Sequence, residues 1–442
     1  MMEDTSVSTN DAKHYPRRVL SSGFTLAVTI GGIIGLGILR TPGEIALVAP
    51  NPWLFVSLWL LGGLFALLST VVATELVGMT PRSGGSYSLV RRAYGPFLGF
   101  VIGWVDWLSF VADIALKAVV ATEFATLLFP KVGQWQLPLA IMVSTVFAAL
   151  QLRSIAMSAK IQKFAAAAMA LIVVGFTLAL VFAGSKMAGP AAMAPVTSKG
   201  LSSWSIVIAA LIYTYDGWLY AAYFTGEIKG GGKALTRAAI KGVIIVIALY
   251  VFLAAALAWK VPLEKLAGNE LALAKALEIV VSPLASTIVL IAAIIMTLSY
   301  QNVLYMSTPR ILQAMAVDGL AVKRAGEISK GGNPVFAVLI SWALSVALII
   351  IGGFEFLLYL SVFFHLVVYV LLFAGVFILR KLQPDEYRPY KAWGHPWSTL
   401  ICLLGWIFFT LFQTGTEIET AMYAAIMVTV SWPVYRILSK KI

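Results

Sequence analysis

The chain has 442 residues, 60% hydrophobic and only 12% charged, with a mean hydropathy of +0.91. Soluble domains carry about 25% charged residues, so this composition excludes an ordinary soluble protein and predicts a chain in contact with lipid. The net charge of +12 would suit nucleic acid or anionic lipid, but its placement argues otherwise; the single cysteine, Cys402, excludes an intrachain disulfide and a cysteine-based metal framework.

In chain order, residues 1–19 are polar, and the first apolar run is too long and glycine-rich for a cleaved leader, so it reads as an uncleaved insertion signal. Apolar stretches of membrane-spanning length then predict twelve helices, at 24–49, 53–76, 97–128, 135–152, 161–183, 204–224, 242–259, 284–306, 335–351, 354–379, 397–412 and 421–434. Gly352-Gly353 is the one break between the ninth and tenth. With the N-terminus inside, the inner segments hold 24 Lys and Arg and the outer segments 6. That asymmetry predicts both termini in the cytoplasm. It also accounts for the basic balance without a nucleic-acid partner. The predicted fold class is thus all-α and integral to a membrane, in contact with lipid and without a soluble domain.

Two spans are predicted to break. The first holds Gly31, Gly32, Gly35 and Gly37, then Pro42; each interior glycine costs roughly 1 kcal/mol against alanine. Gly31 and Gly35 have the spacing of a small-residue packing seam, but Gly37 and Pro42 lie off it. The sixth span carries Asp216-Gly217, a carboxylate with no basic residue one turn away, which within a membrane marks function by default. Leu36 and Asp216 each lie 12 residues into their spans, about 18 Å deep at 1.5 Å per residue. The spans run antiparallel, the pattern of an inverted-repeat transporter. A broken helix offers free N–H groups, suited to a carboxylate, and free carbonyls, suited to an ammonium. An α-amino acid carries both on one carbon.

The run Gly31-Gly32-Ile33-Ile34-Gly35-Leu36-Gly37-Ile38 resembles the first-helix pattern G-x-I-I-G-x-G-I of the amino acid–polyamine–organocation superfamily. Glu75 with Pro81-Arg82-Ser83-Gly84-Gly85-Ser86-Tyr87, and Tyr94-Gly95-Pro96, resemble its second-to-third helix segment. Tyr215-Asp216-Gly217-Trp218 with Thr225-Gly226-Glu227-Ile228-Lys229 resembles its sixth helix, and Leu379-Arg380 with Arg388-Pro389-Tyr390-Lys391 its later basic loop. The resemblance covers about residues 20 to 410 and is greatest to bacterial amino-acid permeases and the light subunits of heteromeric amino-acid transporters.

The resemblance implies a LeuT-like 5+5 inverted repeat, residues 20–183 and 204–380, two further helices over 396–435, and tails at 1–19 and 436–442. It implies a substrate carboxylate held by amides near Leu36, Gly37 and Ile38, and an ammonium held by carbonyls near Ile33 and near Tyr213, Thr214, Tyr215 and Asp216, with Gly35 and Gly217 part of the same predicted substrate site. Tyr213 stands where the family places an aromatic gate. Met169 stands where many relatives carry a lysine in place of sodium, so no lysine-dependent mechanism is assigned; sodium and proton coupling both stay open, with Asp216 a candidate, and no cofactor or metal is expected. Residues 129–136 lack the cysteine that bonds a heavy chain, so no disulfide-linked heavy subunit is expected. Gly230-Gly231-Gly232 and Thr236 replace family prolines, which predicts a softer loop.

Asp113 and Lys117, and Arg40 and Glu44, are spaced to pair within one helix. For the first pair structural neutralisation is expected, with a coupling role as the alternative; Arg40 is as apt to line the pathway as not. Glu75, Asp106, Glu123 and Glu227 lie toward span ends, where interfacial solvation is expected. For Asp216 the alternative to function is satisfaction by backbone amides of the broken helix. The expected activity is transport of L-amino acids, neutral and in some measure cationic, across the plasma membrane by alternating access, as exchange or symport; the alternative is a polyamine or cationic amine. An enzyme is disfavoured by the absence of HExxH and GxSxG motifs, and a channel by the absence of a repeated filter.

Overall fold

The computed structural model describes residues 17–49, 51–183, 200–352, 354–416 and 418–439. Lys13, Lys186, Lys199, Lys440 and Lys441 of the charge asymmetry, and Gly353 of the predicted break, lie outside them.

The first predicted span is two helices. Ser21 caps α1 (Ser22–Ile33) by accepting from the Phe24 N–H at 3.3 Å. The chain turns extended at Ile34 and re-enters α2 (Gly37–Ala46) at 44° to α1. Asn51 caps α3 (Pro52–Met79), accepting from the Leu54 N–H at 2.9 Å, and Pro52 fills the first turn, where no N–H is needed. A short α4 (Gly85–Tyr94) leads to α5 (Pro96–Leu128), α6 (Gln136–Arg153) and α7 (Ile155–Phe182). The sixth span is also broken. Its α8 (Gly200–Tyr215) stops at Asp216, Gly217 adopts φ +102°, and a 3₁₀ segment over Tyr220–Glu227 follows. Then come α9 (Gly231–Lys260), α10 (Ala272–Val280), α11 (Leu284–Val317), α12 (Val335–Ile351), α13 (Phe354–Leu382), α14 (Trp397–Thr416) and α15 (Ile418–Ser439).

Every predicted span thus falls on helix. Among the described residues, eight helices are long and apolar enough to cross a bilayer, or nine with the bent pair counted once; 335–351 and 397–412 are apolar but shorter. This is an all-helical, multi-pass membrane architecture. Its core packs α3 along α9, α5 along α11 and α13, and α1 between α7 and α9.

Two connections differ from expectation. The segment 260–283 contains α10, and its Gly268 N–H donates to the Gly43 carbonyl at 3.0 Å, tying this loop to α2. Gly231 and Gly232 lie in the first turn of α9 rather than in a loop. Gly230 and Gly231 take positive φ at the start of α9, and a methyl on Gly232 would lie 2.5 Å from the Gly78 Cα on α3.

The carboxylates expected at solvated span ends are mostly buried. Glu75 is 1% exposed and bridges Arg380 at 2.6 Å and Arg388 at 3.1 Å, while also accepting from the Ala392 N–H. Glu227 pairs with Arg310 at 3.3 Å, equally buried. Asp318 joins Arg82 and Arg91, each at 3.2 Å. These ion pairs gather where α1 begins and the 3₁₀ segment ends, since Leu20 bridges to Ile228 there. Glu123 alone of the four predicted carboxylates stays partly exposed.

A cavity where two helix breaks meet

The two interruptions lie against each other. A methyl on Gly32 would sit 2.8 Å from the Tyr220 ring and 3.0 Å from the Gly217 carbonyl oxygen. Gly217 in turn has no room for a Cβ beside the Gly32 carbonyl. Two chains at this separation leave backbone, not side chains, facing the space beside them.

That space is a cavity lined by Gly35, Leu36 and Gly37 of the first break, Tyr213 and Asp216 of the second, and Lys117 and Tyr300 from α5 and α11. A second chamber continues from it. Lys117, Tyr213, Asp216 and Tyr300 line both, so they form a polar neck between them. Beyond the neck the second chamber turns apolar, walled by Leu366, Trp406, Phe409 and Phe412 of α13 and α14.

The neck is built from ordinary helix spacing. Asp113 and Lys117 are one turn apart on α5, and their ion pair closes at 3.2 Å with both side chains nearly buried. The Lys117 ammonium also donates to the Tyr213 hydroxyl at 3.1 Å and lies 5.2 Å from the centre of the Tyr300 ring. Tyr213 is 45% exposed although it sits deep in its span, so it borders open space. Asp216 Oδ1 accepts from the Tyr369 hydroxyl at 2.5 Å, and among the described residues no basic side chain bridges it. Its partner is therefore a phenol on α13, not a backbone amide of its own break.

Not every predicted site residue faces the cavity. The Tyr215 ring is buried against Trp59 and Tyr250, its hydroxyl donating to the Trp59 carbonyl at 3.0 Å. Thr214 donates to Ala210 at 2.7 Å and meets the Thr41 hydroxyl, packing α8 on α2. Ile33 does line the cavity, although its carbonyl already accepts from the Tyr250 hydroxyl at 3.1 Å. Ile38, Gly217 and Met169 are absent from the lining; Met169 is fully buried on α7. The Arg40–Glu44 pair forms at 3.1 Å, but its guanidinium is exposed and lines neither chamber. The glycines divide by role. A methyl on Gly37 would strike Thr214, at 2.8 Å from its Cα, whereas one on Gly35 would meet only the Ile33 oxygen at 4.0 Å. Sequence reasoning missed Tyr300, Tyr369 and the α14 aromatics, because each enters from a distant helix. For Lys117 a signal existed: its intramembrane pair at the depth of Asp216.

A family model described as "Amino acid permease" matches residues 24–432. The chain is similar to a serine/threonine exchanger of Bacillus subtilis, 27% identical and covering 88% of this chain and 90% of that one. It is also similar to a D-serine/D-alanine/glycine transporter of Escherichia coli, at 24% with 98% and 96% covered. A branched-chain amino acid permease of Lactococcus lactis is 24% identical, with 96% and 94% covered.

Proposed function

Because this chain belongs to the amino acid permease family, and so transports amino acids rather than transforming them, we propose that it works by alternating access around the paired helix breaks. The single observation that carries this reading is the cavity bounded by the backbone of Gly35–Gly37 and by Asp216. Free amides at the start of α2 take the α-carboxylate. Asp216, with the carbonyls that close α8, takes the α-ammonium. Side chains extend through the neck into the chamber walled by Trp406, Phe409 and Phe412. Tyr213 acts as the gate, held by Lys117.

In this reading the twelve predicted helices all span, with 20–183 and 204–380 as inverted repeats, 396–435 as two added helices and the remainder as tails. Both termini are cytoplasmic in the plasma membrane, supported by the 24 to 6 asymmetry of Lys and Arg. The ion pairs of Glu227, Asp318 and Glu75 then close the cytoplasmic half, while Tyr213 borders an outward-facing vestibule. The substrate in this reading is an L-amino acid; the matched relatives, named for amino acids and in one case for D-amino acids, favour an amino acid of either hand over a polyamine. No heavy-chain partner, nucleic acid or cofactor is required.

Thermal-shift titration of the purified protein with amino acids tests the site. A ligand at about 100 times its Kd stabilises by roughly 2.7 kcal/mol. Methyl esters and deaminated acids each lose a charge-assisted hydrogen-bonding group, typically about 1.5–3 kcal/mol, so each should bind at least about tenfold more weakly than its parent. Equal binding by methyl esters would remove the backbone-amide site.

A further inference from the structure

Four carboxylates are buried among the described residues: Glu75, Asp106, Asp113 and Glu227. Three are neutralised, by Arg380 and Arg388, by Lys117 and by Arg310. Asp106 is different. It is 1% exposed on α5 and makes no ion pair. Its Oδ2 accepts from the Tyr223 hydroxyl at 2.8 Å, its Oδ1 is buried without a donor in hydrogen-bonding geometry, and the Ser86 hydroxyl lies beside the carboxyl. Tyr223 in turn shares its hydroxyl with Ser86 at 3.0 Å.

An ionised carboxylate buried this way lacks the compensation that burial of charge demands. Protonation supplies it: the neutral acid has one O–H to donate and carries no charge. The groups that face Asp106 are Tyr223 from the 3₁₀ segment, Ser86 from α4 and His365 from α13; none comes from the other described helices packed on α5. His365 packs on Phe110, one turn along α5 from Asp106, with ring centres 5.3 Å apart. It also lines the aromatic chamber beside Tyr369 and Asp216. An imidazole that lines the aromatic chamber therefore also faces the buried carboxyl.

We propose that Asp106 carries one proton inward with each substrate, received from the cavity through His365, so that this permease is a proton-coupled symporter. The proposal rests on the amino-acid reading above. Tyr223 belongs to the inner part of the broken sixth span, which closes over Asp106. Closure stabilises the neutral acid, because a bare carboxylate cannot be buried there. When the inner half opens, Tyr223 withdraws and water reaches the carboxyl. The proton then leaves to the cytoplasm, and an ionised Asp106 opposes closure until a new proton arrives. An isolated intramembrane carboxylate of this kind is a proton-relay device.

The test uses full-length protein in proteoliposomes with labelled L-serine, L-leucine and L-phenylalanine. With acid outside, uptake should exceed that at equal pH, and a dye in the lumen should report acidification as the amino acid enters. Asp106→Asn, which preserves the acceptor for Tyr223, should lose gradient-driven accumulation while counterflow, which needs no net proton movement, persists. His365→Gln should slow the gradient-driven arm in the same sense. Infrared spectra at neutral pH test the proton site without substrate: the parent should show a neutral carboxylic acid band that Asp106→Asn lacks. Uptake with no lumen acidification, accumulation that survives in Asp106→Asn, or absence of that band each overturns the proposal. Failure of all three amino acids even in counterflow would instead count against the amino-acid reading, and the infrared comparison would still decide the proton site.

Discussion

Gly32 and Gly217 form a backbone-to-backbone contact at the point where the two interrupted spans cross, and neither has room for a methyl group. Gly217 also holds φ +102°, a region that side-chain-bearing residues rarely enter. Gly217→Ala therefore meets both a clash and a backbone strain of about 1–3 kcal/mol. Its melting temperature should fall and uptake should cease. Gly37→Val should behave alike, because its methyls would meet Thr214. Gly35→Ala makes the contrast, since its methyl enters the cavity and not a helix. That variant should melt like the parent and bind amino acids more weakly. A Gly35→Ala protein with parental affinity would remove Gly35 from the substrate site.

Gly31→Ala joins the packing group. Its methyl would fall on the Gln162 amide, which accepts from Asn302 Nδ2 at 2.9 Å within a buried polar cluster. Displacing Gln162 breaks that bond, worth about 0.5–1.5 kcal/mol net. Thermal melting should record a loss of that order; in a Gln162→Ala background the further change Gly31→Ala should cost little, which would show that the amide is the obstacle.

Lys117 holds the polar neck through Asp113 and Tyr213. Removing one member of a buried ion pair typically costs about 3–5 kcal/mol, because the other charge is left uncompensated. Lys117→Gln should thus be markedly less stable than the parent. The double variant Asp113→Asn/Lys117→Gln should recover much of that loss. Tyr213→Phe removes one hydrogen bond to a charged group, about 1.5–3 kcal/mol at most, and should change transport rates more than stability. If the double variant melts no higher than Lys117→Gln, the pair is not the source of the effect.

The helical architecture was legible because apolar length is a robust signal, and all twelve stretches fall on helix. Both breaks were legible too, since Gly31 to Gly37 and Asp216-Gly217 violate helix propensity where lipid permits no open backbone. Orientation within the breaks was not. Tyr215 and Asp216 are adjacent, yet one ring packs on Trp59 while the other side chain faces the cavity. The partners of Glu75, Glu227 and Asp216 lie 305, 83 and 153 residues away, a separation that no local spacing rule reaches. Asp106 read as interfacial for the same reason: its depth in the bundle depends on Tyr223 and His365 covering it.

Orientation in the membrane follows from charge placement and is testable with single cysteines in a Cys402→Ser background; Cys402 is buried. Gln134 and Glu264 are exposed and belong to predicted outer connections, while Lys229 is exposed at the basic end. Gln134→Cys and Glu264→Cys should react with an impermeant thiol reagent in intact cells. Lys229→Cys should react only after permeabilisation. Labelling of Lys229→Cys in intact cells would reverse the orientation and with it the assignment of the ion-paired end as cytoplasmic.

Asp216 distinguishes the kinds of ligand that the cavity accepts. It lines both chambers, and among the described residues its one donor at hydrogen-bond distance is the Tyr369 hydroxyl. If the carboxylate meets the α-ammonium common to all substrates, Asp216→Asn should weaken every amino acid alike. A carboxylate that meets a cationic side chain passing through the neck leaves a different signature: lysine and arginine should then lose at least about tenfold more affinity than leucine or alanine, the equivalent of about 1.4 kcal/mol. The position beside Leu36 and Gly37 favours the first outcome. Tyr369→Phe supplies the control, because it removes a donor but keeps the charge, so cation binding should hold or tighten while Asp216→Asn loses it. Parental affinities in Asp216→Asn for neutral and cationic amino acids together would exclude the carboxylate from substrate contact.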